Sequence, residues 1–254
     1  MPFVDVKGLK VHYESKGKGH TLLFIHGAGS SHLNWKPQIE YLGKDFNAIA
    51  IDLPGHGRSE APDPPSVSIE WYTGFIKGFL DALDKKSATF IGYSMGGAIS
   101  IQFCLNYPDC IESLILTSTG AKLGVSPALL SVLKSNFKKA MEMGFLGPKA
   151  KKVDKNLLEE LKEEVNRLDP KIGVLDFEAC NSFDARKRID EINKPTLVMG
   201  ASKDAVHPLF WSEYLHEHIK GSKFEVIEGD TMYMLETPDE VNQILCEFLK
   251  GVLR

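Results

Sequence analysis

Several things are scarce or absent in this chain, and each absence narrows what it can be. The opening MPFVDVKGLK lacks a long apolar core and a small-residue cleavage site. No later apolar run approaches the roughly 20 residues a bilayer span requires. The expectation is therefore a cytoplasmic protein without a membrane span. Only four cysteines occur, Cys104, Cys110, Cys180 and Cys246, with no CxxC pair and no histidine at zinc-finger spacing. They read as free thiols, and no metal is expected. Cations are not in excess: 30 Lys+Arg stand against 34 Asp+Glu, a net charge of −4, which argues against a nucleic-acid partner. No internal repeat, low-complexity tract or GxGxxG fingerprint is present, so no nucleotide cofactor is expected.

What remains is ordinary globular material, 43% apolar and 25% charged over 254 residues, enough for one domain with an insertion. Val4 to Val6 and Lys10 to Ser15 alternate like a hairpin around Lys7-Gly8. Thr21 to Ile25, Asn47 to Ile51, Ala88 to Tyr93 and Ile111 to Thr117 are short apolar runs suited to parallel strands covered on both faces. Helical spacing fills Ile69 to Leu83 and Met95 to Asn106. The alternation resumes with Thr196 to Gly200, a helix from Leu209, a strand from Lys223 to Ile227 and a closing helix from Asp239 to Leu249. The fold class this predicts is α/β, a mostly parallel sheet with crossover helices.

Residues 121–189 interrupt the pattern. They are rich in Lys and Glu, with helical stretches at Pro127 to Met143 and Lys155 to Leu168 and no convincing strand. The predicted organisation is a core domain of 1–120 and 190–254 with a helical cap of 121–189. The charge runs Lys149 to Lys152 and Glu159 to Glu164 read as solvated faces.

The chemistry is carried by Gly92-Tyr93-Ser94-Met95-Gly96, a GxSxG turn between an apolar strand and a helix. In that context the serine is exposed on a strained turn and becomes a candidate nucleophile. His26-Gly27-Ala28-Gly29 ends another strand with small residues that let backbone amides face a ligand. Acyl transfer needs two donors aimed at the developing oxyanion, and the amides of Ala28 and Met95 beside Gly27 are the candidates. His26 fits an orienting role in its loop.

Taken together, HGAGSSHLNW at 26–35, DLPGHGRS at 52–59, GYSMGG at 92–97, KPTLVMGASKD at 194–204 and MLETPDEV at 234–241 resemble the α/β-hydrolase superfamily, in its serine esterase, lipase and C–C hydrolase branch. The resemblance implies an eight-stranded sheet, a cap between the sixth and seventh strands and a Ser-Asp-His triad in that order. It places the acid at Asp204 and leaves structural roles to His56 and Arg58, with binding of a substrate carboxylate as the alternative for Arg58. Aligned on Glu236 and Pro238, the family's histidine falls on Thr231, whose hydroxyl cannot serve as a base near neutral pH. His207, three residues after Asp204, would have to occupy the acid's neighbourhood and the base's place at once. His32, His216 and His218 read as helix or surface positions.

The sequence therefore predicts a serine hydrolase of carboxylic esters that lacks its base. It is inactive or impaired as written, and Thr231→His would raise its rate by about a hundredfold or more. The alternatives are a non-catalytic ligand-binding homologue, or a lyase, acyltransferase or C–C hydrolase variant, including one with a displaced base. The substrate would be a small molecule with an apolar acyl or alcohol group. Cap residues Leu123, Leu129, Leu130, Leu133, Phe137, Met141, Phe145, Leu146, Phe177 and Phe183 are candidates to line its pocket.

Overall fold

The short apolar runs form the centre of a sheet, as a computed structural model describes it for residues 2–63, 65–146, 150 and 152–253. The strands are β1 (Phe3–Val6), β2 (Leu9–Lys16), β3 (Thr21–Ile25), β4 (Asn47–Ile51), β5 (Ala88–Tyr93), β6 (Ile111–Thr117), β7 (Thr196–Ala201) and β8 (Lys223–Ile227). Their order is β1-β2-β4-β3-β5-β6-β7-β8, antiparallel from β1 to β4 and parallel from there on. Every residue of β3, β5 and β7 is buried, as expected of strands covered on both faces. At the edge, β8 exposes Lys223, Glu225 and Val226.

Helices α1 (Lys36–Leu42), α2 (Ile69–Ala82) and α3 (Met95–Asn106) cover the first half. Between β6 and β7 lie α4 (Pro127–Ser135), α5 (Phe137–Met141), α6 (Lys155–Arg167) and α7 (Pro170–Ser182), and the described residues there contain no strand beyond one bridge, Lys122 to Asp184. The helix expected over Pro127 to Met143 is two helices. Asn136 leaves helical geometry at φ −157°, ψ 81°, and its side chain accepts from Lys139 N, so one residue ends α4 and caps α5. Helix α7 is not evident in the sequence pattern, although Asp169 caps it and Pro170 starts it. The chain closes with α8 (Leu209–His218), α9 (Tyr233–Glu236) and α10 (Pro238–Val252).

Of the two charge runs, Lys149 and Lys151 lie outside the described residues. Glu159 and Glu163 are solvated as expected, but Glu164 is not. It falls on the face of α6 that carries Leu157, Leu161 and Val165 inward. His32, expected at a helix or surface position, begins a short 3-10 helix after β3 and is buried. Its side chain packs against Asp52 at the end of β4.

Asp52 is fully buried. Its Oδ1 accepts from His32 N at 2.7 Å and His32 Nδ1 at 2.9 Å, and its Oδ2 from His12 Nδ1 at 2.7 Å and Arg58 N at 3.1 Å. Burial opposes its charge, but the hydrogen bonds from His12 and His32 outweigh it and hold the carboxyl far below the ordinary range. One carboxylate thus ties β2 to the loops that follow β3 and β4. The side chains of His12, His32 and Asp52 lie within 4.8 Å of one another, a spacing a metal could use, but the carboxylate oxygens already receive four protein donors.

His26, at the end of β3, is buried and neutral. Its Nδ1–H donates to Gly27 O at 2.8 Å and its Nε2 accepts from Leu53 N at 3.1 Å. Burial first, and His56 second, push its pKa from 6.5 down to about 4.

Two stability measurements test this core. Asp52→Ala should lower the urea-extrapolated unfolding free energy by about 3–5 kcal/mol, because it leaves several buried donors unpaired. Between pH 6.5 and about 4 the unfolded chain binds a proton at His26 that the folded chain refuses, so this residue's contribution, present above that window, is lost as pH falls through it. His26→Asn, though less stable at pH 7, should therefore lose less stability on acidification than the parent, by up to about 3 kcal/mol. An unchanged pH slope would mean His26 titrates normally.

Candidate active site

Ser94 sits where β5 turns into α3, at φ 53° and ψ −114°, a positive φ that a residue with a side chain adopts only under constraint. The constraint is close packing: a Cβ on Gly96 would stand 2.1 Å from Ile25 O, so no larger residue lets α3 approach β3. The loop after β3 comes as near, since a Cβ on Gly27 would lie 2.9 Å from the Tyr93 ring and 3.3 Å from Ser94 Cβ. Gly27 and Ala28 are thereby brought beside the serine, and Ala28 lines the same pocket as Ser94. Met95 is the first residue of α3, where amides have no partner within the helix.

An imidazole faces the serine. His207 Nε2 lies 2.7 Å from Ser94 Oγ. His207 Nδ1 lies 3.2 Å from Asp204 Oδ2 and 3.2 Å from Thr231 Oγ1. The expectation of a serine without a histidine neighbour is thus corrected. The reason is local: Asp204 Oδ1 accepts from Val206 N at 2.9 Å and His207 N at 2.8 Å, a tight turn that folds the His207 ring back over the carboxylate. Acid and imidazole can therefore share one loop, each with its own space.

Asp204 also accepts from Ser118 Oγ at 3.0 Å. Burial works against its charge, but the His207 ring, its backbone amide and Ser118 prevail and keep its pKa below the usual value. Thr231 is fully buried, with Tyr93 Oη 2.8 Å from its hydroxyl. It lies against the His207 imidazole, with its hydroxyl 3.2 Å from Nδ1.

A second buried carboxylate reaches in from α7. Asp176 accepts from Tyr72 Oη at 2.7 Å, His56 Nε2 at 2.7 Å and Gly29 N at 3.0 Å. Burial alone would lower the His56 pKa, but Asp176 and the Pro54 carbonyl raise it above the ordinary value. The DLPGHGRS loop, helix α2 and the glycine loop after β3 all converge on this one side chain.

Over Ser94 lies a pocket of about 450 Å³. Of the cap residues expected to line it, Leu123, Leu129, Met141, Phe145, Leu146 and Phe177 do. Leu130, Leu133, Phe137 and Phe183 pack elsewhere in the two hydrophobic clusters. Trp211, Met232, Ser30, Asn34 and Glu164 also border the cavity; Ser30 and Asn34 belong to the HGAGSSHLNW motif but carry no catalytic signal within it, and Trp211, Met232 and Glu164 come from segments without a motif.

Comparison with known proteins bears on the fold. A model of the alpha/beta hydrolase fold matches residues 20–169. The chain is 29% identical over 199 residues to the dihydrolipoyllysine-residue acetyltransferase component of an acetoin cleaving system from Cupriavidus necator, covering 78% of this chain and 48% of that protein. It thus spans about half the length of that relative. It is 26% identical over 241 residues to 3-oxoadipate enol-lactonase 2 of Acinetobacter baylyi, covering 90% and 88% of the two chains. Among solved structures, a thermophilic esterase superposes with a TM-score of 0.83 at 30% identity over 99% of this chain and 97% of its own. No described helix is long and apolar enough to cross a membrane. A family match over more than half of the chain, joined by full-length likeness to that esterase, means that the chain belongs to the alpha/beta hydrolase fold family.

Proposed function

We propose that this protein is a serine hydrolase of carboxylic esters or lactones, with Ser94 as nucleophile, His207 as general base and Asp204 as the acid that orients it. The observation that carries the reading is the 2.7 Å contact between Ser94 Oγ and His207 Nε2. With Nδ1–H directed at Asp204 and Thr231, Nε2 is the nitrogen left to accept the serine proton. The likeness to an esterase and to an enol-lactonase supports the substrate class.

In this reaction Ser94 Oγ bonds to the carbonyl carbon while its proton passes to His207 Nε2. The carbonyl electrons move onto oxygen, which the amides of Ala28 and Met95 receive. Collapse of the tetrahedral species expels the alkoxide, and His207 returns the proton to it. Water then repeats the sequence on the acyl-enzyme, giving the acid and free Ser94. Asp204 stabilises the imidazolium and fixes its tautomer, and Thr231 offers a second acceptor to the same N–H. In this reading the base is His207 rather than a residue at position 231, which gives the serine a base where the sequence reading expects none. Residues 121–189 act as a lid that excludes water and selects the acyl group.

Three variants test the assignment with p-nitrophenyl acetate and butyrate. His207→Ala should lower kcat by about a thousandfold or more, close to the loss in Ser94→Ala, because the two act as a unit. Normal turnover by His207→Ala would remove it from the mechanism. Thr231→His, expected from sequence alone to raise activity, should instead lower it, since a ring at this fully buried position competes with His207 for space. A gain of about a hundredfold in that variant would restore the missing-base reading.

The third variant is Asp176→Asn. It should lower kcat by about tenfold or more with little change in KM, because Gly29 and its neighbour Ala28 lose their anchor. A change confined to KM would give Asp176 a role in substrate binding alone.

A further inference from the structure

Glu164 is the polar feature of the pocket that the proposed reaction does not use. It lies on α6, is 8% exposed, and borders the same cavity as Ser94 and His207. Its Oε1 receives Arg167 Nη1 at 3.2 Å, whereas its Oε2 is fully buried and has no partner among the described residues. A buried carboxylate oxygen without a donor is costly, and in a native fold it calls for a reason. Burial first, then the nearby Asp52 charge, raise the Glu164 pKa, as expected of an oxygen denied both water and a donor.

The surrounding wall does not supply that donor. Ser30 and Asn34 border the cavity, but the Ser30 hydroxyl is spent on Asn34 Oδ1. Most of the remaining cap lining is apolar: Leu129, Met141, Phe145, Leu146, Leu161 and Val165. A molecule that reaches Ser94 through this cavity therefore meets largely apolar walls on the cap side, with Lys122, Ser126, Asn34 and Thr119 as other polar lining, and packs against Glu164, whose Oε2 has no donor among the described residues.

We infer that the acyl pocket is built for esters whose acyl part carries a neutral hydrogen-bond donor, a hydroxyl or an amide N–H, received by Glu164 Oε2. The inference rests on the reading of Ser94 as nucleophile. Arg167 already gives Glu164 Oε1 a charged partner, one that it shares with Glu163 Oε2 at 2.9 Å, and what Glu164 Oε2 lacks is a hydrogen bond, which a neutral donor supplies. A site built around such a bond discriminates strongly against the analogue without it, because the unpaired group is left behind in the complex.

The test uses p-nitrophenyl esters of N-acetyl ω-amino acids over a series of chain lengths, each paired with its N-methyl counterpart, which keeps the shape and loses the N–H. In the unmodified protein kcat/KM should favour the N–H ester by about tenfold or more at the best length. In Glu164→Leu the ratio should fall to within about twofold of unity. Glu164→Gln, which keeps the volume and guards against a folding defect, should reduce it by at least about threefold. Equal rates on the paired esters, or a preference that survives both substitutions, overturn the inference and leave Ser94 untouched. So does a stronger preference for ω-ammonium esters, which would make this a cation site. Hydrolysis of neither series overturns the proposed function as well.

Discussion

A carboxylate sealed from solvent must be met by donors, and in this protein the arrangement around the serine depends on where Asp176 finds them. Its donors come from three places far apart in sequence: Tyr72 on α2, His56 in the loop after β4, and the Gly29 amide in the loop after β3. Each is buried or belongs to a packed loop, so none can turn to water if Asp176 withdraws. The helices between β6 and β7 are therefore held to the sheet by directional bonds as well as by apolar contact. The glycine loop that carries Ala28 is fixed by the same side chain. Asp52 has a parallel role, joining β2 to the loops that bear His32 and Arg58.

Much of the sheet is legible in the sequence because buried parallel strands leave a plain trace. Thr21 to Ile25, Asn47 to Ile51, Ala88 to Tyr93 and Ile111 to Thr117 match β3 to β6. The serine turn is legible for a similar reason, since Gly92 and Gly96 mark places where only backbone fits. Helix α7 leaves a weaker trace: it mixes apolar and polar residues on several faces, and its buried Asp176 looks like a surface residue in a one-dimensional pattern. Glu164 misleads in the same way, as one member of an acidic run whose neighbours are solvated while it turns inward.

On sequence alone His207 is discounted through a geometric assumption that does not hold, namely that two residues three apart on one loop are unable to fill two stations. The turn that Asp204 Oδ1 makes with the amides of Val206 and His207 provides both, because it folds the ring back over the acid. The pattern Asp-x-x-His before a proline, with aspartate able to bond its own backbone two and three residues on, is the available signal. The motif alignment draws attention to position 231 instead. Thr231 contributes there through its contact with the imidazole at 3.2 Å.

Placing the imidazole and its carboxylate on one short loop changes how the assembly responds to motion. Where two such groups stand on different loops, slippage between the adjoining strands alters their separation. Here Asp204–His207 form one turn shortly after β7, closed internally by the Asp204 carboxylate on the amides of Val206 and His207. Sheet breathing would be felt chiefly at the far tip, in the gap from His207 to Ser94 across two loops. The strand at the sheet's edge, β8, then bears on the pair only from outside the turn, through Thr231 against the imidazole and the bonds of Ser202 N to Ile227 O and Lys203 N to Gly229 O.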